Sequence, residues 1–270
     1  MLLWTKVIFQ IPHSLAKIMS YSSSQIPGHH FDSLKQIESG YWWYEGRLIW
    51  ARQFIRNWLE RNAFTDPVFY ADLGCGTGGF GINIQNNFAI DETILIDNNP
   101  EALNRVSANQ NITLLNLDLE SNFELPFEPN LITCMDVIEH IEQDQKFVDH
   151  LFTCIKPGGL LVLSTAAHPF LFSTWDKKLG HYRRYSKSSL VKKLEKSGFK
   201  VWHASYGWAF LFPLAPYRFF CAKKQENLDY PKVPNWLNSF LLMLSKMESK
   251  LSNWIPYPFG TSVFIAALKE

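Results

Sequence analysis

Apolar and polar positions alternate along this chain with two periods. Leu48, Ala51, Phe54, Ile55, Trp58 and Leu59 recur at helical spacing, which predicts an amphipathic helix over 46–61. Short apolar runs bounded by Gly, Asn or Asp then predict strands at 68–74, 92–97, 112–118, 131–136, 159–165, 199–206 and 261–268. Helical segments fall between them: GGFGINIQNN, then PEALNRVSANQ with Pro100 in its first turn. IEHIEQDQKFVDHLFTCI follows, with Ile141, Phe147, Val148, Leu151, Phe152 and Ile155 on one face. A helix capped by Ser186 carries Leu190, Val191 and Leu194 and ends at Gly198. Strands alternating with helices of this length predict an α/β fold, a mostly parallel sheet covered on both faces. After Pro234 one more stripe runs through Trp236, Leu237, Phe240, Leu241, Leu244, Met247 and Leu251.

Parallel sheets bind ligands outside the carboxyl ends of their strands, where the strand order reverses. The first strand is followed by Asp72-Leu-Gly74-Cys-Gly76-Thr-Gly78-Gly79, a loop that turns tightly and brings backbone close to a ligand. Gly74, Gly76 and Gly79 also satisfy G-x-G-x-x-G, the dinucleotide fingerprint. Asp97 ends the second strand, where an acid accepts ribose hydroxyls in either nucleotide class. Asp118 follows the third strand, and Met135, Asp136, Glu139 and His140 follow the fourth. Lys156-Pro-Gly-Gly159 precedes the fifth.

The ordered set ADLGCGTGGF, the acid after strand two, LDLES, DVIEHI and KPGGLLVLS resembles the class I S-adenosylmethionine-dependent methyltransferases from about residue 40 to 206. The resemblance implies a Rossmann-like, doubly wound sheet of seven strands with the last antiparallel. It also implies S-adenosylmethionine as cofactor, with Gly74, Gly76 and Gly78 facing its methionine part, Asp72 near the amine, Asp97 on the ribose and Asp118 on the adenine edge; Met135 is a further cofactor-binding candidate. A cationic sulfonium without a pyrophosphate suits a loop flanked by two acids. GYWWYEGR (40–47) is similar to the entrance of the quinone-biosynthesis O-methyltransferases, where an arginine reaches the donor carboxylate; Arg47 matches it. In some relatives Glu-x-x-Glu-His holds a divalent cation. Asp136 replaces the first Glu here, Asp136, Glu139 and His140 share a face only if the segment is helical, and the expectation is that no metal is needed.

WDKKLGHYRRY (175–185) lies between the fifth strand and the Ser186 helix, and similar segments occur in a largely uncharacterised bacterial group. Methyl transfer to a hydroxyl needs alignment and often a base. His181 and His168 are the candidate bases, and Arg183 and Arg184 the candidates to hold an anionic acceptor; alternatively the loop clamps itself, with its arginines on Asp176 or on carbonyls. The aromatic stretch 204–220 and the helix after Pro234 form an insertion, expected as a buried roof over the acceptor, or else as a segment dipping into a membrane interface.

The resulting division is a tail (1–30), a helical cap (31–65), the cofactor-binding domain (66–206), a hydrophobic helical roof (207–257) and a final strand (258–270). Apolar content of 47% in 270 residues supports a sizeable core. Net charge of +1 gives no field for nucleic acid. Cys75, Cys134, Cys154 and Cys221 are too far apart for a CxxC site and read as thiols of a reducing, cytoplasmic compartment, with peripheral contact to the inner face of a membrane as a variant. The first residues are apolar but interrupted by Lys6, Gln10 and Pro12, unlike a signal peptide or a span. The expected function is methylation, on oxygen, of a small or lipid-like acceptor. The rivals are a nicotinamide-dependent oxidoreductase and a non-catalytic donor-binding module.

Overall fold

The computed structural model describes residues 28–62, 67–107, 109–215 and 233–270. Seven strands form one sheet: β1 (Phe69–Leu73), β2 (Glu92–Asp97), β3 (Ile112–Asn116), β4 (Leu131–Met135), β5 (Leu160–Ala166), β6 (Lys200–Gly207) and β7 (Ser262–Leu268). Their order is β3-β2-β1-β4-β5-β7-β6, parallel except for β7, which pairs antiparallel with both β5 and β6. The order reverses between β1 and β4, so the crevice for a ligand opens at the carboxyl ends of those two strands.

Both faces of the sheet are covered, which explains the near-continuous apolar runs of β1, β4 and β5. On one face α5 (Asp144–Cys154) and α7 (Lys187–Lys196) bring Phe147, Val148, Leu151, Leu190 and Leu194 onto Ile132, Leu161 and Leu163. On the other, α2 (Trp42–Asn62) and α3 (Gly79–Asn87) bring Trp50, Phe54, Trp58 and Ile84 onto Tyr70, Val162 and Phe264. Trp50 stacks on Phe264 with ring centroids 4.6 Å apart. Truncating such a buried tryptophan to Ala costs about 3–5 kcal/mol.

Several boundaries differ from the expectation. A helix, α1 (Gly28–Ile37), precedes α2 and folds back over the glycine loop, where Arg105 holds Asp32 at 2.7 Å. The helix after β2 is only α4 (Pro100–Leu103), capped by Asn99, whose side chain accepts from Glu101 N at 2.9 Å. The segment after β4 is not one helix. Asp136 takes positive φ, a 3-10 turn covers Ile138–His140, and α5 begins only at Asp144. α6 (Thr174–Lys178) lies in the WDKKLGHYRRY loop. Ser186 does cap α7, accepting from Ser189 N at 3.1 Å.

The insertion between β6 and β7 is described at the 3-10 helix Ala209–Leu214 and at α8 (Asn235–Ser252). The basic step at 221–224, Cys221 and residues 1–27 lie outside the described residues. α8 packs on α2 with only part of its apolar stripe, Leu241 joining the core on that side. Ser245, Glu248, Ser249 and Ser252 are buried, while Trp236, Phe240, Met247 and Leu251 are exposed. The expectation of a buried greasy roof is corrected here, because α2 offers α8 a polar seam. Gln53 bonds Ser249 O, Ser249 Oγ and Asn253 Oδ1, and Asn238 bonds Trp42 N and Gly40 O.

Candidate active site

β1 delivers the chain into a turn in which Gly74, Gly76 and Gly78 all have positive φ. Gly74 is also a matter of space: a Cβ there would lie 2.3 Å from Val137 Cγ2. Asp97, at the end of β2, braces this turn: its Oδ2 accepts from Gly76 N and its Oδ1 from Asn99 N, both at 2.8 Å. Burial raises the Asp97 carboxyl above its ordinary value, opposed by the backbone donors of Asn99 and Gly76. Asp118 turns the chain after β3, its Oδ1 accepting from Glu120 N at 3.0 Å.

Asp72 is buried beneath the turn. Thr133 Oγ1 on β4 donates to its Oδ1 at 2.6 Å, and its Oδ2 lies against Gly81 of α3. Burial pushes its carboxyl up to about 7, against the pull of the Thr133 hydroxyl and the Gly81 backbone. A buried carboxylate with no cation beside it costs stability until one meets it, and this is the observation that fits a cationic ligand.

The start of α3 is already held by an acid. Glu38, just past α1, accepts from Gly79 N at 3.1 Å and from the Thr77 hydroxyl, and Lys35 pairs with it at 3.1 Å. In a dinucleotide site the pyrophosphate occupies that helix N-terminus, and a carboxylate there repels it. Glu38 was not legible as a site residue, since a single acid in KQIESG carries no motif. Tyr44, in the GYWWYEGR segment, lies close to this group. It is buried here, and burial first, then the charges of Glu38 and Asp72, raise its phenol well above its ordinary value.

At the end of β4 Arg47 pairs with Asp136 and lies under Trp43, its guanidinium carbon 3.0 Å from the ring centroid. Ser164 on β5 donates to Asp136 Oδ1 at 2.9 Å. Met135 sits beside this group, half-buried against the α2 side of the core. Asp136, Glu139 and His140 do not converge. Asp136 faces Arg47, Glu139 is buried with Oε1 accepting from Ala166 N at 3.3 Å, and His140 packs edge-on against His181 with centroids 4.6 Å apart. The positive φ at Asp136 breaks the helical register that would align them. Burial lowers His140 to about 4, and among the described residues no three His, Cys, Asp or Glu side chains group as a metal site.

A methyltransferase-domain family matches residues 48–204, more than half of the chain. The chain belongs to the class I S-adenosylmethionine-dependent methyltransferases. The ubiquinone biosynthesis O-methyltransferase of Schizosaccharomyces pombe is 32% identical over 119 residues, 42% of each chain. A malonyl-[acyl-carrier protein] O-methyltransferase of Ilyobacter polytropus is 27% identical over 130 residues, 47% of this chain and 46% of that one. The methyltransferase thus spans less than half the length of these curated relatives in its matches. Among solved structures, the Haemonchus contortus phosphoethanolamine N-methyltransferase 2 with S-adenosyl-L-methionine aligns with TM-score 0.58 at 15% identity, covering 91% of this chain and 58% of that one. The N-methyltransferase NodS of Bradyrhizobium japonicum with S-adenosyl-L-homocysteine aligns with TM-score 0.55 at 13% identity, covering 89% and 95%. These likenesses show the shared fold. The nicotinamide reading is set aside.

In this methyltransferase the WDKKLGHYRRY loop is gathered on one carboxylate. Asp176, fully buried, accepts from Arg184 Nε at 2.7 Å and Nη2 at 3.0 Å, from His181 Nδ1 at 3.1 Å, and from Ser173 N and Oγ at 2.8 Å. Burial works to raise this carboxyl, but the His181, Arg184 and Ser173 donors outweigh it and hold it well below the usual range. Arg183 reaches Asp144 at 2.9 Å and Glu142 O at 2.9 Å, and Tyr185 also donates to Asp144 at 2.6 Å. Arg183 and Arg184, expected to grip an acceptor, therefore spend their forks on the protein's own carboxylates; the self-clamping alternative is the arrangement found. Tyr182 is half exposed. His168 lies apart from His181, stacked on Tyr206 at 4.7 Å and flanked by Phe170 and Phe212. Burial lowers its pKa, and its Nε2 has no partner among the described residues.

Proposed function

We propose that this methyltransferase methylates an oxygen of a small, apolar or lipid-like acceptor, and that His181 takes the acceptor's proton. The observation that carries the base assignment is the Asp176–His181 pair. A buried carboxylate accepts Nδ1–H at 3.1 Å, which fixes the ring and leaves the Nε2 lone pair to accept. His181 lies against His140 at the end of β4, next to the crevice, whereas His168 stacks on β6. The curated relatives whose names specify O-methylation support an oxygen acceptor.

The chain's residues divide the work. Gly74, Gly76 and Gly78 give room for the methionine part of the donor, Asp72 meets its ammonium, Asp97 its ribose hydroxyls, and Asp118 and Met135 flank the base. Arg47 is assigned to the donor carboxylate, shared with Asp136. When bound, the donor supplies an electrophilic methyl whose C–S electron pair returns to sulfur as the new O–C bond forms. His181 Nε2 receives the proton, and Asp176 stabilises the imidazolium. Arg184 and Arg183 are positioning residues that keep the loop in place.

Single-turnover transfer to an alkylated phenol tests this. His181→Asn should lower the rate by about 10²-fold or more, with affinity for S-adenosylhomocysteine within a few-fold of wild type. An unchanged rate removes His181 from the mechanism. Methylation of amine probes in place of the phenol removes the oxygen acceptor.

A further inference from the structure

α8 carries apolar side chains on two faces: Leu241 and Leu242 pack inward on the core, and a second set faces outward. Its seam against α2 is built of Ser245, Glu248, Ser249 and Ser252, closely packed enough that a Cβ on Gly46 would lie 3.4 Å from Ser245 Oγ. Glu248 accepts from Trp208 N and Ala209 N, the latter at 2.6 Å, so the only acid of α8 points inward. The outer face is a continuous apolar stripe of Trp236, Phe240, Met243, Met247 and Leu251, continued by Trp254. Trp236 and Trp254, at the two ends, are 71% and 85% exposed. A helix that only completes a core does the reverse.

We propose that this stripe docks α8 lengthwise into the headgroup region of an anionic lipid bilayer. Three observations select lipid over a protein surface. Tryptophans at both ends are the side chains that settle at a membrane–water boundary, with an apolar body and one polar N–H. The edge of the stripe is basic, and no acid lines the groove there. Lys246 and Lys250 project from α8 beside Arg52 and Arg56 of α2, and these four line one 240 Å³ groove. That charge complements anionic headgroups. No described helix is long and apolar enough to cross a membrane, so the helix lies on the surface. At 18 residues α8 lays down about 27 Å of contact, ample for a reversible anchor. This docking goes beyond the proposed reaction and stands whichever acceptor atom is methylated, since its test reads binding and not turnover.

The test is flotation of the full chain with vesicles of phosphatidylcholine, alone or mixed with phosphatidylglycerol. Binding should require phosphatidylglycerol and weaken with added salt. Lys246→Gln and Lys250→Gln should each weaken it about fivefold, and Phe240→Ser with Met247→Ser by about tenfold or more. Affinity for S-adenosylhomocysteine and the melting temperature report that each variant is folded. Phe240 and Met247 are about half exposed and stand outside the buried core, so both should stay near wild type. Equal flotation of the Phe240→Ser/Met247→Ser protein overturns the proposal, as does no flotation of wild type. So does a concentration-dependent dimer, seen by sedimentation, that the same double variant dissolves while lipid binding is absent. That outcome would assign the stripe to a second copy of the chain.

Discussion

Asp72→Asn keeps the shape of the side chain and removes its charge. Burial raises this carboxyl from an ordinary 3.8 to about 7, so the folded protein holds the proton more tightly than the unfolded chain. Ionising it therefore costs stability progressively from about pH 4 to about pH 7, and the full cost persists above. At about 1.4 kcal/mol per unit, the penalty above neutrality is on the order of 4 kcal/mol. The replacing amide is neutral but leaves a buried N–H to satisfy, which costs about 1–3 kcal/mol. The ligand-free variant should thus be more stable than wild type at about pH 8, by roughly 1–3 kcal/mol or a few degrees of Tm, and lose that advantage near pH 5. Donor binding should run the other way. Only the ionised form attracts a cation, so wild-type affinity for S-adenosylmethionine should rise about tenfold between about pH 6 and pH 8. The variant should bind more weakly, with no such slope. Thermal melts at the two pH values and calorimetric titrations of the donor supply both readings. A variant destabilised equally at both pH values, or a wild type whose affinity ignores pH, would refute the reasoning.

Asp97→Ala removes the brace on Gly76 N and Asn99 N along with any ribose contact, and should weaken S-adenosylhomocysteine binding by about 2–4 kcal/mol in calorimetry. Arg184→Ala strands Asp176, a fully buried carboxylate, and should cost about 3–5 kcal/mol of stability in denaturant unfolding. Its transfer rate per folded molecule should fall far less than that of His181→Asn. Methyl transfer should survive exhaustive chelation, because Asp136, Glu139 and His140 face three different ways; activity lost to chelation and restored by magnesium would contradict this.

The sheet was legible because β1, β4 and β5 are buried on both faces and read as largely apolar runs, with Gly74 after β1 and Asp136 after β4 marking the turns. The turn after β1 shares that legibility, since Gly74 and Asp97 have local reasons to be what they are. The rest depends on tertiary partners. Nothing in KQIESG tells that Glu38 will sit on the start of α3, because the interaction joins segments far apart in the chain. The arginines of WDKKLGHYRRY offered two uses, and only the burial of Asp176 decides between them. The stripe predicted for α8 is divided between two faces, with Leu241 on the core and Trp236, Phe240, Met247 and Leu251 outward, because periodicity locates apolar positions without saying which side the protein occupies. The serines of the opposite face were the available signal, small enough to lie close against Gly46.

Gly207 and Ser262 are paired partners at the ends of β6 and β7, and Thr261 N donates to Gly207 O at 2.9 Å. Everything between them leaves and re-enters the sheet at one point, so in chain-statistical terms the whole excursion is a single closed loop. The entropy of closing a loop grows only with the logarithm of its length, about 0.6 kcal/mol for each doubling. Its length is therefore nearly free to change. The sheet can keep its donor half intact while this excursion is shortened, extended or exchanged for that of another methyltransferase, with the close crossing of Gly207 and Gly260 as the natural place to cut and rejoin.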